Sequence, residues 1–122
     1  MELRDLTYAI IGSCFKVHQG LGRGLLEACY HNGLFYQFQR EGLRVGYNTP
    51  FPVEYLGHTV GEYFADLVVE GRVIIEVKAV TMLASAHTAQ LLNYLAISGC
   101  PVGLLVNFQG SRLEWKRFAR GV

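Results

Sequence analysis

The sequence predicts an α/β fold in which three helices flank a mixed sheet of about five strands. Apolar residues recur at spacings of three and four through residues 3–41, which indicates two amphipathic helices. The pattern then changes to runs typical of strands. A further helical segment precedes residues 102–106, which are almost wholly apolar and typical of a central strand covered on both faces. A helix between the third and fourth strands indicates a right-handed parallel crossover.

Length and composition favour one domain over residues 1–122, because 51% of the residues are hydrophobic and 12% are aromatic. The formal net charge of +1 gives no global basic field, so a polyanionic partner would need a local basic patch. Three widely spaced cysteines fit neither a disulfide framework nor a zinc site. No apolar run reaches the ~18 residues that span a bilayer. Residues 1–15 lack the features of a signal peptide, so we expect a cytoplasmic protein without a membrane partner.

The N-terminal part of the chain predicts two helices that are separated by a glycine-rich break at residues 20–24. The first helix, over residues 3–19, presents an apolar stripe of Leu6, Ile10, Cys14 and Val17. The second, over residues 25–41, ends at Gly42, which suits a C-terminal cap. Its predicted inner face consists of the apolar residues Leu26, Cys29, Tyr30, Leu34 and Phe38.

Beyond the second helix the sequence predicts five strands and one more helix. The first two strands, at residues 51–55 and 59–69, are joined by a turn at residues 56–58. The third strand covers residues 73–80. The helix that follows begins at Ser85, the expected N-cap, and ends at Gly99. The closing strands are predicted at residues 102–108 and 112–118.

Three charged residues interrupt strands that otherwise look buried: Asp66, Glu76 and Lys78. Glu76 and Lys78 are two apart on one strand and therefore share a face. Asp66 joins them only if the hairpin has the right register. A two-residue turn would put Glu76 on the opposite face, whereas a three-residue loop at residues 70–72 pairs Asp66 with Glu76. We predict the three-residue loop, with Gly71 in a left-handed conformation, because it gathers all three charges.

Two carboxylates that face each other across a hairpin form a hard-oxygen site suited to Mg²⁺ or Mn²⁺. A lysine beside them can orient a water molecule or stabilise negative charge that develops on a phosphate. The alternative is a structural ion pair between Glu76 and Lys78 at a sheet edge, with Asp66 solvated. The residues alone leave both interpretations open.

The order of these residues resembles a known family signature. Asp66, followed by Glu76-Val77-Lys78 after a short hairpin, is similar to the signature of the PD-(D/E)XK nuclease superfamily. The segment 24–30, Gly-Leu-Leu-Glu-Ala-Cys-Tyr, resembles the motif of the bacterial GxxExxY proteins, a branch of that superfamily close to the RecB-type nucleases. Two positions depart from the pattern. Ala65 stands where the superfamily name has proline, and Arg23 replaces a proline of the glycine loop.

The resemblance implies a restriction-endonuclease-like core and a Mg²⁺- or Mn²⁺-dependent nuclease that hydrolyses phosphodiester bonds in DNA. Asp66 and Glu76 would be metal ligands, together with the carbonyl of Val77. Lys78 would act on the attacking water or the transition state. Glu27 matches a helical glutamate that lies beside the metals, although a glutamate in the first turn also complements the helix dipole. The alternative function is a catalytically silent module on the same fold that binds nucleic acid or protein.

Three further residues are candidates for supporting roles. Gln90 and Tyr94 are four apart on one helical face, with His87 one turn earlier. Their spacing is similar to a RecB-type motif that helps to hold the metal site and DNA, but an ordinary amphipathic edge has the same spacing. His18, at the end of the first helix, either caps that helix or approaches the site. Two other histidines are expected to be solvated: His31 and His58.

We predict that the protein works as a homodimer or with a partner subunit, because a domain of this size buries little nucleic acid by itself. The preferred surface is the first helix, with Tyr8, Ile11 and Phe15, and the second choice is the final strand around Trp115. Alternation along that strand nevertheless predicts that Trp115 packs inward. The last strand and tail are rich in basic residues, for which there are two interpretations: they contact a nucleic-acid backbone, or they protect a solvated edge strand. These residues are Arg112, Lys116, Arg117 and Arg120.

Overall fold

The computed structural model describes residues 3–120, and it has the predicted α/β architecture: a five-stranded mixed sheet with three helices. The strand order across the sheet follows the chain order, β1 to β5. The elements are α1 (Leu3–Leu21), α2 (Glu27–Arg40), β1 (Val45–Tyr55), β2 (His58–Val69), β3 (Val73–Lys78), α3 (Ser85–Ser98), β4 (Val102–Asn107) and β5 (Glu114–Ala119).

The sheet is antiparallel except at its centre. β3 and β4 run parallel, with Val73 opposite Val102 and Lys78 opposite Asn107, and α3 connects them as the sequence predicts. Every residue of β4 is buried, because the strand has a neighbour on each side and apolar groups on each face. The parallel pair therefore fixes the carboxyl ends of β3 and β4 at one end of the sheet.

The helices α1 and α2 cover one face of the sheet, and α3 covers the other. The predicted stripe of α1 is buried in the first core, where it meets Tyr30, Leu34 and Phe38 of α2. The second core is smaller and is built around Leu91 and Leu95 of α3. The expectation that Leu26 and Cys29 face the core is wrong: both are exposed, because α2 begins at Glu27 and Leu26 is its extended N-cap residue.

Several element boundaries differ from the sequence expectation. The first strand is much longer than predicted and begins at Val45. Its turn has two residues, Leu56 and Gly57, both with positive φ, so His58 already belongs to β2. The N-cap of α3 is Ala84, not Ser85, and the Nδ1 atom of His87 accepts a hydrogen bond from the Ala84 N–H at 3.0 Å.

β5 is an exposed edge strand. It pairs with β4 alone, and most of its side chains face solvent. Trp115 is 40% exposed, so the prediction that it packs inward is wrong. Its side chain lies on the face that carries α1, but a groove separates it from that helix. No helix among residues 3–120 is long and apolar enough to cross a membrane.

Candidate active site

The hairpin between β2 and β3 has the predicted three-residue loop. Val69 pairs with Val73 and Leu67 with Ile75, and this register continued places Asp66 opposite Glu76. Gly71 has a φ of 64°, as predicted, and Glu70 is also left-handed with a φ of 55°. The loop therefore directs Asp66, Glu76 and Lys78 to the same face of the sheet.

Each of the two carboxylates is fixed by the backbone of the other strand. The N–H of Asp66 donates a hydrogen bond to Oε2 of Glu76 at 2.7 Å. The N–H of Val77 donates to Oδ2 of Asp66, also at 2.7 Å. These two bonds orient the carboxyl groups before any ligand is bound.

Burial of these groups has an electrostatic cost. Glu76 is only 3% exposed, and burial together with the charge of Asp66 raises the pKa of its carboxyl from 4.5 to about 8. Burial also raises the pKa of Asp66, opposed by the hydrogen bond from Val77 and by the nearby His31 and Lys78. The pair thus concentrates negative charge that a cation would relieve.

Lys78 is the last residue of β3 and lies beside the two carboxylates. Its backbone is fixed by Phe108, the residue that follows β4. The N–H of Phe108 donates to the carbonyl of Lys78 at 2.9 Å. Asn107, only 3% exposed, holds the segment after Lys78: its amide accepts from the Val80 N–H at 3.0 Å and donates to the Val80 carbonyl at 2.8 Å. Sequence reasoning missed Asn107, although a polar residue that ends an apolar parallel strand is an indication of such a role.

Glu27 reaches the end of β3 from the N-terminus of α2. Its Oε1 atom accepts a hydrogen bond from the Ala79 N–H at 3.2 Å, and its charge acts on both Asp66 and Glu76. The preceding loop is held by Tyr30, whose hydroxyl donates to the Gly22 carbonyl at 2.7 Å and accepts from the Leu25 N–H at 3.2 Å. The GxxExxY-like segment therefore anchors the glutamate through its tyrosine.

The expectation that His31 is solvated is wrong, because its ring makes two contacts within the structure. Its Nε2 atom lies 2.9 Å from the carbonyl oxygen of Asp66. Its ring stacks on Tyr47 of β1, with centroids 4.4 Å apart and planes 12° from parallel. Its contact is 35 residues away in sequence, so no local spacing could reveal it. His58 is exposed as expected.

Gln90 and Tyr94 lie together on α3. The Gln90 side-chain amide donates to the Tyr94 hydroxyl at 3.5 Å, and the Tyr94 ring meets Tyr63 of β2 edge to face. Tyr94 belongs to the same core cluster as Ala65 and Ile74, which lie close to Asp66 and Glu76 along their strands. Burial, and then the negative charges of Glu76 and Asp66, raises the pKa of the Tyr94 hydroxyl. The Gln-x-x-x-Tyr pair thus borders the carboxylate site.

The His18 side chain does not cap α1; it contacts the connection between β4 and β5. Its Nε2 atom lies 2.8 Å from the carbonyl oxygen of Gly110, in the connection between β4 and β5. Its ring also lies near Phe108, with centroids 6.1 Å apart. The histidine ties the end of α1 to this connection, and a direct contact with nucleic acid stays a prediction.

The donor chemistry of the site fits a hard divalent cation, because carboxylate and carbonyl oxygens are the ligands that Mg²⁺ and Mn²⁺ prefer. The two carboxylates are fixed and mutually repelling, with Glu76 buried and Asp66 half-buried. Among residues 3–120, no group of three or more His, Cys, Asp or Glu side chains is already gathered as a metal cage. A cation here would therefore also need main-chain or solvent oxygens, as Mg²⁺ commonly does.

Comparison with known proteins agrees with this geometry. The family model of the PD-(D/E)XK nuclease superfamily matches residues 4–118, and the chain belongs to that superfamily. No curated protein matches significantly. Among solved structures, the chain is similar to one titled "Crystal structure of SSO0001", with a TM-score of 0.61 and 18% identity. The match covers 75% of this chain and 48% of that one, so the chain spans about half the length of that relative and shares its fold.

Proposed function

We propose that this protein is a Mg²⁺- or Mn²⁺-dependent nuclease that hydrolyses phosphodiester bonds in DNA. The observation that carries the proposal is the placement of Asp66 opposite Glu76, each fixed by the other strand's backbone, with Lys78 next along β3. Membership of a nuclease superfamily over residues 4–118 supports it. We further propose that the chain belongs to the GxxExxY branch, because Glu27 and Tyr30 act together at the site's edge.

We assign the metal ligands to Asp66, Glu76 and the carbonyl of Val77, with Glu27 beside them. A divalent cation bound there would polarise the phosphate and supply a nucleophile from water at neutral pH. A cation held there would favour the ionised form of both carboxyl groups, whose pKa values are raised by burial in its absence.

The other residues act on the substrate. The oxygen of a water molecule attacks phosphorus and gives up a proton to solvent. The bond from phosphorus to a sugar oxygen breaks, and that oxygen takes up a proton from solvent. Lys78 stabilises the negative charge that develops on the phosphate oxygens. Gln90 and Tyr94 offer an amide and a hydroxyl to the phosphate backbone from the neighbouring helix. His18, through its contact with Gly110, supports the adjoining connection.

A cleavage assay tests the proposal. Purified protein is incubated with circular and linear DNA, single- and double-stranded, with Mn²⁺, with Mg²⁺, or with a chelator. We expect metal-dependent cleavage of at least one substrate, and its loss in Glu76→Gln. Binding of DNA without cleavage under every condition would overturn the assignment and favour the catalytically silent module. Matched RNA substrates decide whether DNA is the preferred polymer.

Self-association through α1 is an alternative proposal for the surface that carries Tyr8 and Phe15, because a dimer formed there would cover that surface. Tyr8 and Phe15 are 83% and 49% exposed, as such a surface requires. Ile11, which was expected to contribute, is partly buried against the core instead. Sedimentation equilibrium at micromolar concentration tests the idea: a 13.6 kDa species with full nuclease activity would refute it.

A further inference from the structure

A groove of about 500 Å³ lies between α1 and the edge strand β5, outside the carboxylate site. One wall carries Arg4 and Tyr8 of α1, and the other carries Trp115 and Arg117 of β5. Each wall thus contributes one arginine and one aromatic ring. The volume falls within the roughly 300–1,000 Å³ that ligand sites usually occupy.

The groove follows from the register of β5. Trp115 and Arg117 pair with Val106 and Leu104, whose side chains belong to the core beneath α1 and α2. Both β5 side chains therefore lie on the face that carries α1. On α1, Arg4 and Tyr8 are four residues apart and project from the same side of the helix. The two walls face one another across the uncovered edge of the sheet.

The chemistry of the walls matches unpaired nucleotides. Tyr8 is 83% exposed and Trp115 40% exposed, so their rings are accessible for stacking. Aromatic rings next to cationic side chains are the usual elements of sites for single-stranded nucleic acid, where bases stack and phosphates pair with the cations. The ion pairs seen among residues 3–120 are Lys16–Glu41 and Arg44–Glu70, so neither groove arginine is neutralised by one of them.

We propose that this groove binds single-stranded DNA, with bases stacked on Trp115 and Tyr8 and phosphates paired with Arg4 and Arg117. The proposal adds a substrate site to the proposed nuclease, and cleavage of the bound strand depends on that proposed function. Val77 pairs with Val106, and Val106 pairs with Trp115. Two strand spacings, about 10 Å, therefore separate Trp115 from the strand that carries Glu76 and Lys78. Glu76 and Lys78 alternate with Val77, whose side chain belongs to the core beneath α1, so the carboxylates lie on the opposite face of the sheet from the groove. A strand held in the groove would therefore pass around this end of the sheet to reach them.

Charge favours a polyanion over a second copy of the chain. The groove carries two arginines against one aspartate, Asp5. Two copies meeting through β5 would also bring Lys116 and Arg117 of one strand close to the same residues of the other, and like charges opposed across strands are destabilising. A DNA strand in the groove instead gains from both Arg4 and Arg117.

The fluorescence of Trp115, the only tryptophan of the chain, reports occupancy directly. We would titrate the protein with a twelve-nucleotide oligothymidine and with a duplex of equal length, in chelator so that no metal-dependent cleavage occurs. We expect the single strand to quench Trp115 and to bind more tightly than the duplex. Tyr8→Ala should weaken the single-strand affinity at least about fivefold.

Charge variants test the role of the arginines. Arg4→Ala and Arg117→Ala should each weaken binding and reduce the slope of log affinity against log salt by about 0.7. Asp5→Asn should tighten binding, a gain that damage to the fold would not produce. Arg44→Ala, which removes an exposed arginine at the opposite edge of the sheet, is the matched control and should leave binding unchanged.

Several outcomes would overturn the groove assignment. The first is that the single strand does not quench Trp115, and the second is that Arg44→Ala and Arg117→Ala lose equal single-strand affinity. The third is that an oligouridine binds more tightly than the oligothymidine. The fourth is that the protein is a dimer that Tyr8→Ala dissociates. The proposed function fails separately. Cleavage without quenching removes the groove and leaves the nuclease, whereas quenching without cleavage under any metal condition keeps the groove and leaves a binding module.

Discussion

Replacing Glu76 by glutamine tests the electrostatic cost at the centre of the candidate site. Burial, and then the charge of Asp66, raises the pKa of the Glu76 carboxyl from 4.5 to about 8. A carboxyl group with a raised pKa in the folded chain holds its proton more tightly there than in the unfolded chain. Its contribution to the free energy of unfolding is complete below pH 4.5 and is lost as the pH rises toward 8.

The size of the effect follows from the shift. Between pH 4.5 and pH 7 each pH unit costs up to 1.36 kcal/mol, so the metal-free protein loses up to about 3 kcal/mol of unfolding free energy through this group. Glu76→Gln retains an oxygen that can accept the hydrogen bond from the Asp66 N–H but cannot ionise. The variant therefore avoids this loss.

Urea denaturation in chelator at pH 5, 6, 7 and 8 measures the difference. Between pH 5 and pH 7, we expect the free energy of unfolding of Glu76→Gln to rise by about 2–3 kcal/mol relative to that of wild type. Glu62→Gln, which changes an exposed glutamate of β2, is the control and should follow wild type. Addition of Mn²⁺ should stabilise wild type and not Glu76→Gln. A difference between Glu76→Gln and wild type that does not change with pH would refute the reasoning.

Three further substitutions have defined outcomes. Lys78→Met should abolish phosphodiester cleavage and leave Mn²⁺ binding intact by calorimetry, because lysine is not a ligand; loss of both would contradict its role. Tyr30→Phe removes the hydroxyl that holds Gly22 and Leu25 and should lower the free energy of unfolding by about 1 kcal/mol in urea; no change would count against that anchor. Gly103→Ala places a Cβ 2.8 Å from Leu91 Cδ1 and should cost about 1–3 kcal/mol in the same measurement, whereas a neutral result would mean that α3 shifts freely.

The sequence was sufficient where local pattern and tertiary structure agree. The apolar stripe of α1 is buried as predicted, because a long amphipathic helix packs its apolar face against the core. The hairpin loop was predicted from chemistry alone: three charges in buried strands are tolerable only if they share a face. The structure has that register.

Edge strands were harder to predict. The start of β1 contains Gly46, Asn48 and Pro50, which are typical of a loop, yet an edge strand tolerates them because one side of its backbone has no partner. Trp115 alternates with polar neighbours, which indicates an inward side chain. The side chain does lie on the face that carries α1, but β5 is an edge strand and a groove separates it from that helix, so the ring stays 40% exposed.

Contacts between distant parts of the chain could not be predicted. His31 meets Asp66 only because α2 crosses β2, and Asn107 meets Val80 only because β4 lies beside β3. Neither pair has a recognisable spacing in the sequence. Polar residues of this kind take their role from the fold that brings them together.

Cleavage by Asp66→Asn is the most direct test of the central claim that a carboxylate pair on the β2–β3 hairpin drives hydrolysis. The initial rate on the best DNA substrate with Mn²⁺ is measured for wild type, Asp66→Asn and the control Glu62→Gln. The amide can still accept the Val77 hydrogen bond, so the hairpin is retained. We predict a loss of at least about 100-fold for Asp66→Asn and a wild-type rate for Glu62→Gln. An Asp66→Asn protein that cleaves at the wild-type rate would contradict the claim.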